Sequence, residues 1–300
     1  MSGISPIFAI LTPFDKNDRV DLSALKDLLQ FLENRRAQSV LTCGTFGEFA
    51  SLTIDERLQI LQGARTHFSG TLINHISSTS YYEIDTLAAA SNELADAVLL
   101  LPAYYFSDVS DEGVIRFVIR ALQNVKRPAY LYNFPAHTQY NFTPQVIGQI
   151  RTSCSCLVGI KDSRGIVKEA QRFKQVDPDF EVYVGSDSNI LHTLAQGLDG
   201  SVTGGGNPLP EYFVQIAESY QAGNFDKAQL IEQELNEWNA FRQSLSGNLI
   251  SIVKCAMDAR VPGFPAAVRA PLCSPDENTV QKIHTFIAQQ VKKSQILAAQ

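Results

Sequence analysis

Apolar positions along the chain switch repeatedly between short unbroken runs and runs spaced at three and four residues. Ile7 to Leu11 is an apolar run closed by Thr12-Pro13-Phe14, and Leu22, Leu25, Leu28, Leu29 and Leu32 follow at helical spacing. The chain therefore opens with one strand and one helix, and the pair recurs. Further strands are expected at Ser39 to Cys43, Thr71 to Ile76, Ala97 to Leu101, Ala129 to Asn133, Leu157 to Lys161, Phe180 to Val184 and Gly200 to Thr203. Helical stretches fall between them: from a Thr53/Glu56 capping box to Phe68, then Tyr81 to Leu94, Gly113 to Leu122, a helix entered through Thr143-Pro144, Val167 to Val176, Ile190 to Gln196, and Leu209 to Tyr220 after the eighth strand. Eight strand-then-helix units predict an α/β fold, a (β/α)8 TIM barrel, over residues 1–223. A doubly wound open sheet is the structural competitor, but no GxGxxG follows the first strand, which removes its dinucleotide-binding form.

Beyond Gly223 the pattern is helix only, at Phe225 to Leu245, Leu249 to Met257 and a capped segment from Ser274-Pro275-Asp276-Glu277. Residues 224–300 are expected as a C-terminal helical bundle, and with no low-complexity linker before them they should pack on the barrel.

Composition narrows the function classes. The chain has 300 residues, 45% hydrophobic and 19% charged, with Lys+Arg 25 against Asp+Glu 31. The resulting charge of −6 gives no general basic field for nucleic acid. A small anion remains compatible, because one lysine or a few backbone N–H groups suffice to hold a carboxylate. No signal pattern and no 18-residue apolar run is present, so the expectation is a cytoplasmic chain that does not meet the membrane. Cys43, Cys154, Cys156, Cys255 and Cys273 form an odd set without ligand spacing, and the histidines show no companion pattern, so neither disulfides nor a metal site is expected.

In a barrel of this kind the chemistry lies at the C-terminal strand ends. The sixth strand, Leu157-Val158-Gly159-Ile160-Lys161, ends an unbroken buried run on an ammonium group. Burial there is costly without a partner and favours the neutral amine, the form that condenses with a ketone to give a Schiff base. The plainer alternative is a strand-end lysine reaching water. Residues two apart share a face, so Tyr130 and Tyr132 on the neighbouring strand parallel Gly159 and Lys161, and strands about 4.8 Å apart bring the Tyr132 phenol within reach of the amine. Tyr132 is then a candidate proton relay, or else a core tyrosine bonded to a carbonyl.

The other strand ends offer Gly44-Thr45-Phe46-Gly47-Glu48, Tyr104 and Tyr105, His137 shortly after the fifth, Asp187 and Ser188, and Thr203 before Gly204-Gly205-Gly206-Asn207. The Gly44 to Gly47 turn can present N–H groups and the Thr45 hydroxyl to a carboxylate, or be an ordinary tight loop. Barrels often hold phosphate after strand eight, but no lysine or arginine follows the triple glycine, which favours a loop that lets a sugar-like chain pass close to Thr203 and Gly204. Asp187 and Ser188 suit hydroxyl recognition, and Ser-Asp-Ser before a helix equally suits an N-cap.

With LTPF at Leu11 to Phe14, GTFGE at Gly44 to Glu48, LYNFP at Leu131 to Pro135, GIKDS at Gly159 to Ser163 and GSD at Gly185 to Asp187, the chain resembles the pyruvate-dependent class I aldolases of the dihydrodipicolinate synthase and N-acetylneuraminate lyase family. The resemblance covers nearly the whole chain. It implies a cofactor-free barrel, usually a homotetramer built as a dimer of dimers, in which Lys161 forms the Schiff base with the pyruvate part of a keto acid substrate and Tyr132 relays protons. It also implies that Thr45 and its loop bind the pyruvate carboxylate, with Tyr104 or Tyr105 entering a neighbouring subunit's site. Two departures matter. Phe46 stands where the family commonly has a second Thr or Ser, interrupting the usual hydroxyl relay. Pro135-Ala136-His137-Thr138 lacks the arginine expected of dihydrodipicolinate-forming members. GEF, LYNFPA, KDS and GLDGSVTGGGN look most similar to the 2-keto-3-deoxy sugar acid aldolases, which makes reversible cleavage of such an acid to pyruvate and an aldehyde the leading expectation. A synthase, a sialic-acid lyase or a dehydratase of the same family, or a non-catalytic pyruvate-binding regulator, are the alternatives.

Overall fold

The computed structural model describes residues 6–299. Eight parallel strands close into one barrel in chain order: β1 (Ile7–Ala9), β2 (Ser39–Thr42), β3 (Thr71–His75), β4 (Ala97–Leu100), β5 (Ala129–Asn133), β6 (Leu157–Asp162), β7 (Glu181–Val184) and β8 (Gly200–Thr203), with β8 pairing back to β1. Around it lie α1 (Leu22–Glu33), α2 (Ile54–His67), α3 (Tyr81–Leu94), α4 (Asp111–Leu122), α5 (Pro135–Thr138), α6 (Pro144–Ser153), α7 (Val167–Gln171), α8 (Ile190–Ala195) and α9 (Pro210–Gln221). The C-terminal segment adds α10 (Phe225–Ser244), α11 (Leu249–Asp258) and α12 (Glu277–Ala299). The fold is the expected TIM barrel with helices appended. No helix among the described residues is long and apolar enough to cross a membrane.

Local chemistry sets the helix starts. Asp21 accepts the Ser23 and Ala24 N–H groups at 3.0 Å, and Thr143 accepts that of Val146 ahead of Pro144. Thr53 and Glu56 close a reciprocal capping box at α2. Thr53→Ala is expected to cost about 1 kcal/mol in denaturant unfolding, since it frees the Glu56 N–H while leaving the core untouched. Two elements differ from the pattern. Val167 to Val176 divides into α7 and a tight 3-10 turn, Arg172–Gln175, that buries Phe173. The LYNFP stretch runs into the one-turn helix α5, started by Pro135 and stopped by Gln139 in the left-handed region at φ 55°.

Inside the barrel, Ile7, Leu41, Ile73, Leu99, Tyr130, Tyr183 and Val202 fill the lumen. Gly159 is required there: a Cβ on it would lie 2.7 Å from the Tyr130 ring and 2.5 Å from the Glu181 carbonyl oxygen. Outside, one apolar layer runs from Phe8, Leu28 and Phe213 through Trp238, Ile252, Ile283 and Ile287, so the helices after Gly223 share a core with the β1 and β2 flank. Trp238 is fully buried and donates its indole N–H to the Gly205 carbonyl at 2.9 Å, tying α10 to the loop after β8.

Candidate active site

Lys161 and Tyr132 are register partners on β6 and β5, as Gly159 and Tyr130 are one step below. Both side chains face the lumen; Lys161 is 7% exposed and Tyr132 2%. The Lys161 amine lies 4.1 Å from the Tyr132 ring centroid, and no carboxylate among the described residues pairs with it. Its stem lines a small lumen cavity of about 20 Å³ with Tyr130 and Tyr183. Gly185 leaves the lysine room on its other side: an added Cβ would stand 3.0 Å from Lys161 Cε and would run into the Ser163 hydroxyl. Ser163 and the Lys161 stem thus both border the space left at Gly185, although only its place in the KDS motif marked Ser163 in the sequence.

The Tyr132 phenol lies 3.2 Å from the Thr45 hydroxyl, and its ring stacks on Phe134 at 5.4 Å. Thr45 sits in a loop folded back on itself: Glu48 N–H donates to the Thr45 carbonyl at 3.0 Å, and Thr12 donates its hydroxyl to the Gly47 carbonyl at 2.7 Å. Gly47 is pressed against Ile10 and Cys43 backbone, which explains its lack of a side chain. The Thr45 and Phe46 N–H groups have no hydrogen-bond partner among the described residues, so they remain available to an anion.

The loop is braced from two sides that the sequence did not disclose. Below it, His75 places Nδ1 2.8 Å from the Cys43 carbonyl and Nε2 2.7 Å from the Ser77 hydroxyl. The carbonyl can only accept, so Nδ1 carries the proton and Nε2 accepts from Ser77. Burial, reinforced by the nearby Arg57 charge, pushes the His75 pKa well below its usual value and keeps the ring neutral. Burial likewise raises the Cys43 thiol to about 11, which makes it inert. At the loop's far end Glu48, in the left-handed region at φ 55°, forms an ion pair with Lys254 of α11 at 2.5 Å and accepts the Arg269 N–H at 3.1 Å. Lys254 is fully buried and also donates to the Ala267 carbonyl at 2.7 Å. His75 could have been found by applying the strand-end rule to β3; Lys254 carried no local signal.

At β7 and β8 the polar groups singled out in the sequence are engaged within the protein. Asp187 accepts the Thr203 hydroxyl at 2.5 Å and the Gly205 N–H at 3.2 Å, and pairs with Arg242 of α10 at 2.5 Å. Its carboxylate is therefore a strut between barrel and helix, and Thr203 is spent on the same strut. The Ser-Asp-Ser segment does not cap α8 either, whose N-cap position is Asn189 without a side-chain bond; Ser186 instead bonds to Ser188. At the triple glycine protein fills the space a side chain would take: the Phe46 ring at Gly204, Arg242 at Gly205, and Phe213 with Thr203 at Gly206.

Over Thr45 opens a cleft of about 490 Å³, walled by the loops after β2, β4 and β5 and roofed by Ile250 and the segment from Arg269 to Leu272. Tyr104 and His137 line it. Tyr104 is half-buried, which raises its pKa, whereas Tyr105 turns away, 90% exposed with φ 78°. Thr45, Tyr132 and Lys161 therefore form one cluster with Gly44 and Gly47 behind them, Tyr104 and His137 beside it, and Tyr105 outside it. Among the described residues no group of three or more His, Cys, Asp or Glu side chains is placed to hold a metal.

A buried amine, an adjacent phenol and a loop of free N–H groups form the arrangement expected from the GTFGE, LYNFP and GIKDS motifs, and the chain matches the Dihydrodipicolinate synthetase family over residues 2–290. The chain belongs to that family. An uncharacterized DapA-like lyase of Pyrococcus horikoshii is 28% identical over 294 residues, 96% of this chain and 100% of the relative. A probable 2-dehydro-3-deoxy-D-pentonate aldolase of Escherichia coli K12 is 26% identical over 298 residues, covering 96% of this chain and 97% of the relative. A prophage protein of the same organism, from the dihydrodipicolinic acid synthase family and solved in complex with pyruvate, superposes with a TM-score of 0.87 at 26% identity, over 95% of this chain and 97% of its own. As a dihydrodipicolinate synthetase family member the chain is a class I carbon–carbon lyase.

Proposed function

We propose that this enzyme reversibly cleaves a 2-keto-3-deoxy sugar acid to pyruvate and an aldehyde. The observation that carries the reading is the Lys161 amine held 4.1 Å from the Tyr132 ring, with the Tyr132 phenol 3.2 Å from Thr45. In this reading Lys161 Nζ attacks C2 of the keto acid and, after loss of water, forms an iminium. Tyr132 takes the proton of the C4 hydroxyl, the C3–C4 bond breaks, and its electron pair enters the iminium as an enamine. Protonation at C3 and hydrolysis then release pyruvate. The Thr45 and Phe46 N–H groups, with the Thr45 hydroxyl, hold the carboxylate. Gly44 and Gly47 give the loop its close approach.

The sugar acid is favoured over a synthase substrate by His137, which lines the cleft and belongs to the segment that lacks the arginine expected of a synthase. Catalysis is favoured over mere binding because the Tyr132–Thr45 contact persists although Phe46 replaces the usual hydroxyl residue. The exposed Tyr105 suits entry into a neighbouring site in a tetramer. Pyruvate release from a panel of 2-keto-3-deoxy acids tests the assignment, and turnover of the synthase substrate alone would overturn it. Tyr132→Phe is expected to keep pyruvate imine formation and to lower kcat about 10²- to 10⁴-fold; an unchanged kcat would remove the phenol from the mechanism.

A further inference from the structure

Cys43, which leads from β2 into the Thr45 loop, is a non-glycine residue in the left-handed region at φ 53°. That conformation is disfavoured for a residue carrying a Cβ, so a contact is needed to hold it. A trans peptide keeps its C=O and N–H antiparallel, so the direction of the Cys43 carbonyl sets that of the Gly44 N–H and the course of the chain into Thr45 and Phe46. This carbonyl accepts the His75 Nδ1–H at 2.8 Å.

His75 is itself held at every polar atom that could move it. It lies on the lumen face of β3, two residues after Ile73, with its ring edge-on to Phe49 at 4.5 Å and to Tyr132 at 6.0 Å. Nε2 accepts from the Ser77 hydroxyl at 2.7 Å, and the Ser77 oxygen accepts the Leu101 N–H at 2.6 Å. Arg57 of α2 clasps the same segment, donating to the His75 carbonyl and, at 2.9 Å, to the Ser77 carbonyl. The hydrogen bonds therefore run one way, from Leu101 through Ser77 and His75 to Cys43, and join the ends of β4, β3 and β2. Both ring nitrogens are spent on protein, so an effect of His75 on the reaction passes through the loop.

We propose that His75 is a positioning residue, which by holding the Cys43 carbonyl fixes the loop conformation in which the Thr45 and Phe46 N–H groups meet the keto acid carboxylate. The inference rests on the aldolase reading and concerns its carboxylate half. Without the bond Cys43 relaxes toward negative φ, the Cys43–Gly44 peptide turns, and the loop must be ordered again at each binding event. The loss falls on affinity, because Lys161 and Tyr132 stay on β6 and β5.

His75→Asn and His75→Gln separate the two ring contacts. Asn sets an amide N–H where Nδ1 stands and keeps the donor for Cys43, whereas Gln sets its amide at the Nε2 end and keeps only a partner for Ser77. With the full chain and pyruvate alone, exchange of the methyl protons in D2O gives a half-saturating concentration and a saturating rate, and borohydride trapping is run in parallel. His75→Gln is expected to raise the half-saturating concentration about tenfold, the scale of one lost hydrogen bond, while the saturating rate changes by less than about threefold. His75→Asn should stay within about threefold of the unsubstituted enzyme in both. Ser77→Ala, which leaves the ring in place and frees its orientation, should raise the half-saturating concentration about threefold and decides the matter where a His75 variant does not fold. An unchanged half-saturating concentration in His75→Gln, an equal rise in His75→Asn, or a fall in the saturating rate alone overturns the positioning role, as does no change in Ser77→Ala where that variant decides. Trapping of pyruvate on the unsubstituted enzyme would still leave the aldolase reading standing. Absence of that trapping overturns both.

Discussion

Lys161→Ala is expected to lose turnover by roughly 10⁵-fold or more, the scale on which removal of a covalent nucleophile is felt. The loss should be chemical and not structural. The amine has no carboxylate partner among the described residues, so its removal leaves no buried counter-charge behind, and the missing stem enlarges a lumen cavity that is already present. Relief of the amine's desolvation offsets part of the lost packing. Far-UV circular dichroism and the thermal midpoint should therefore stay near those of the unsubstituted enzyme. A variant that unfolds would mark Lys161 as structural, and one that retains turnover would end the Schiff-base account.

The second large effect is expected far from the reacting atoms. Lys254→Met strands the Glu48 carboxylate, which is buried and, among the described residues, otherwise bonded only through the Arg269 N–H. Burial lowers the Lys254 pKa and Glu48 opposes that shift, so the two charges depend on each other in the folded state. Breaking one side of such a pair costs about 3–5 kcal/mol, whereas replacing both partners by neutral groups costs much less. Lys254→Met alone should lower Tm by roughly 5–15 °C, and adding Glu48→Gln should recover most of the loss. A double variant no more stable than the single one would show that the pair does not act as a unit. Because Glu48 closes the Thr45 loop, the single variant should also raise the KM for pyruvate.

The contrast between these residues shows what the sequence can disclose. Strand and helix rhythm, the Thr53 and Thr143 caps and the Lys161–Tyr132 neighbourhood depend on nearby residues or on consecutive strands, whose parity can be counted. Glu48 with Lys254, Asp187 with Arg242 and Gly204 under Phe46 join elements far apart in the chain. No spacing announces them. That is why nothing in the sequence signals that side-chain space at the triple glycine is filled by Phe46, Arg242 and Phe213, or that Asp187 pairs with Arg242. The strand-end rule did single out the ends of β2, β5 and β6, which the structure brings together at Thr45, Tyr132 and Lys161. It could not say which polar atoms would be left free once the C-terminal helices had docked.

The central claim is that Lys161, rather than the other buried lysine, reacts with a keto acid. Borohydride reduction in the presence of pyruvate, followed by peptide mass analysis, tests it most directly. A reduced pyruvate adduct on the peptide containing Lys161, absent in Lys161→Ala, is the predicted result. No adduct, or one located on Lys254, would contradict it.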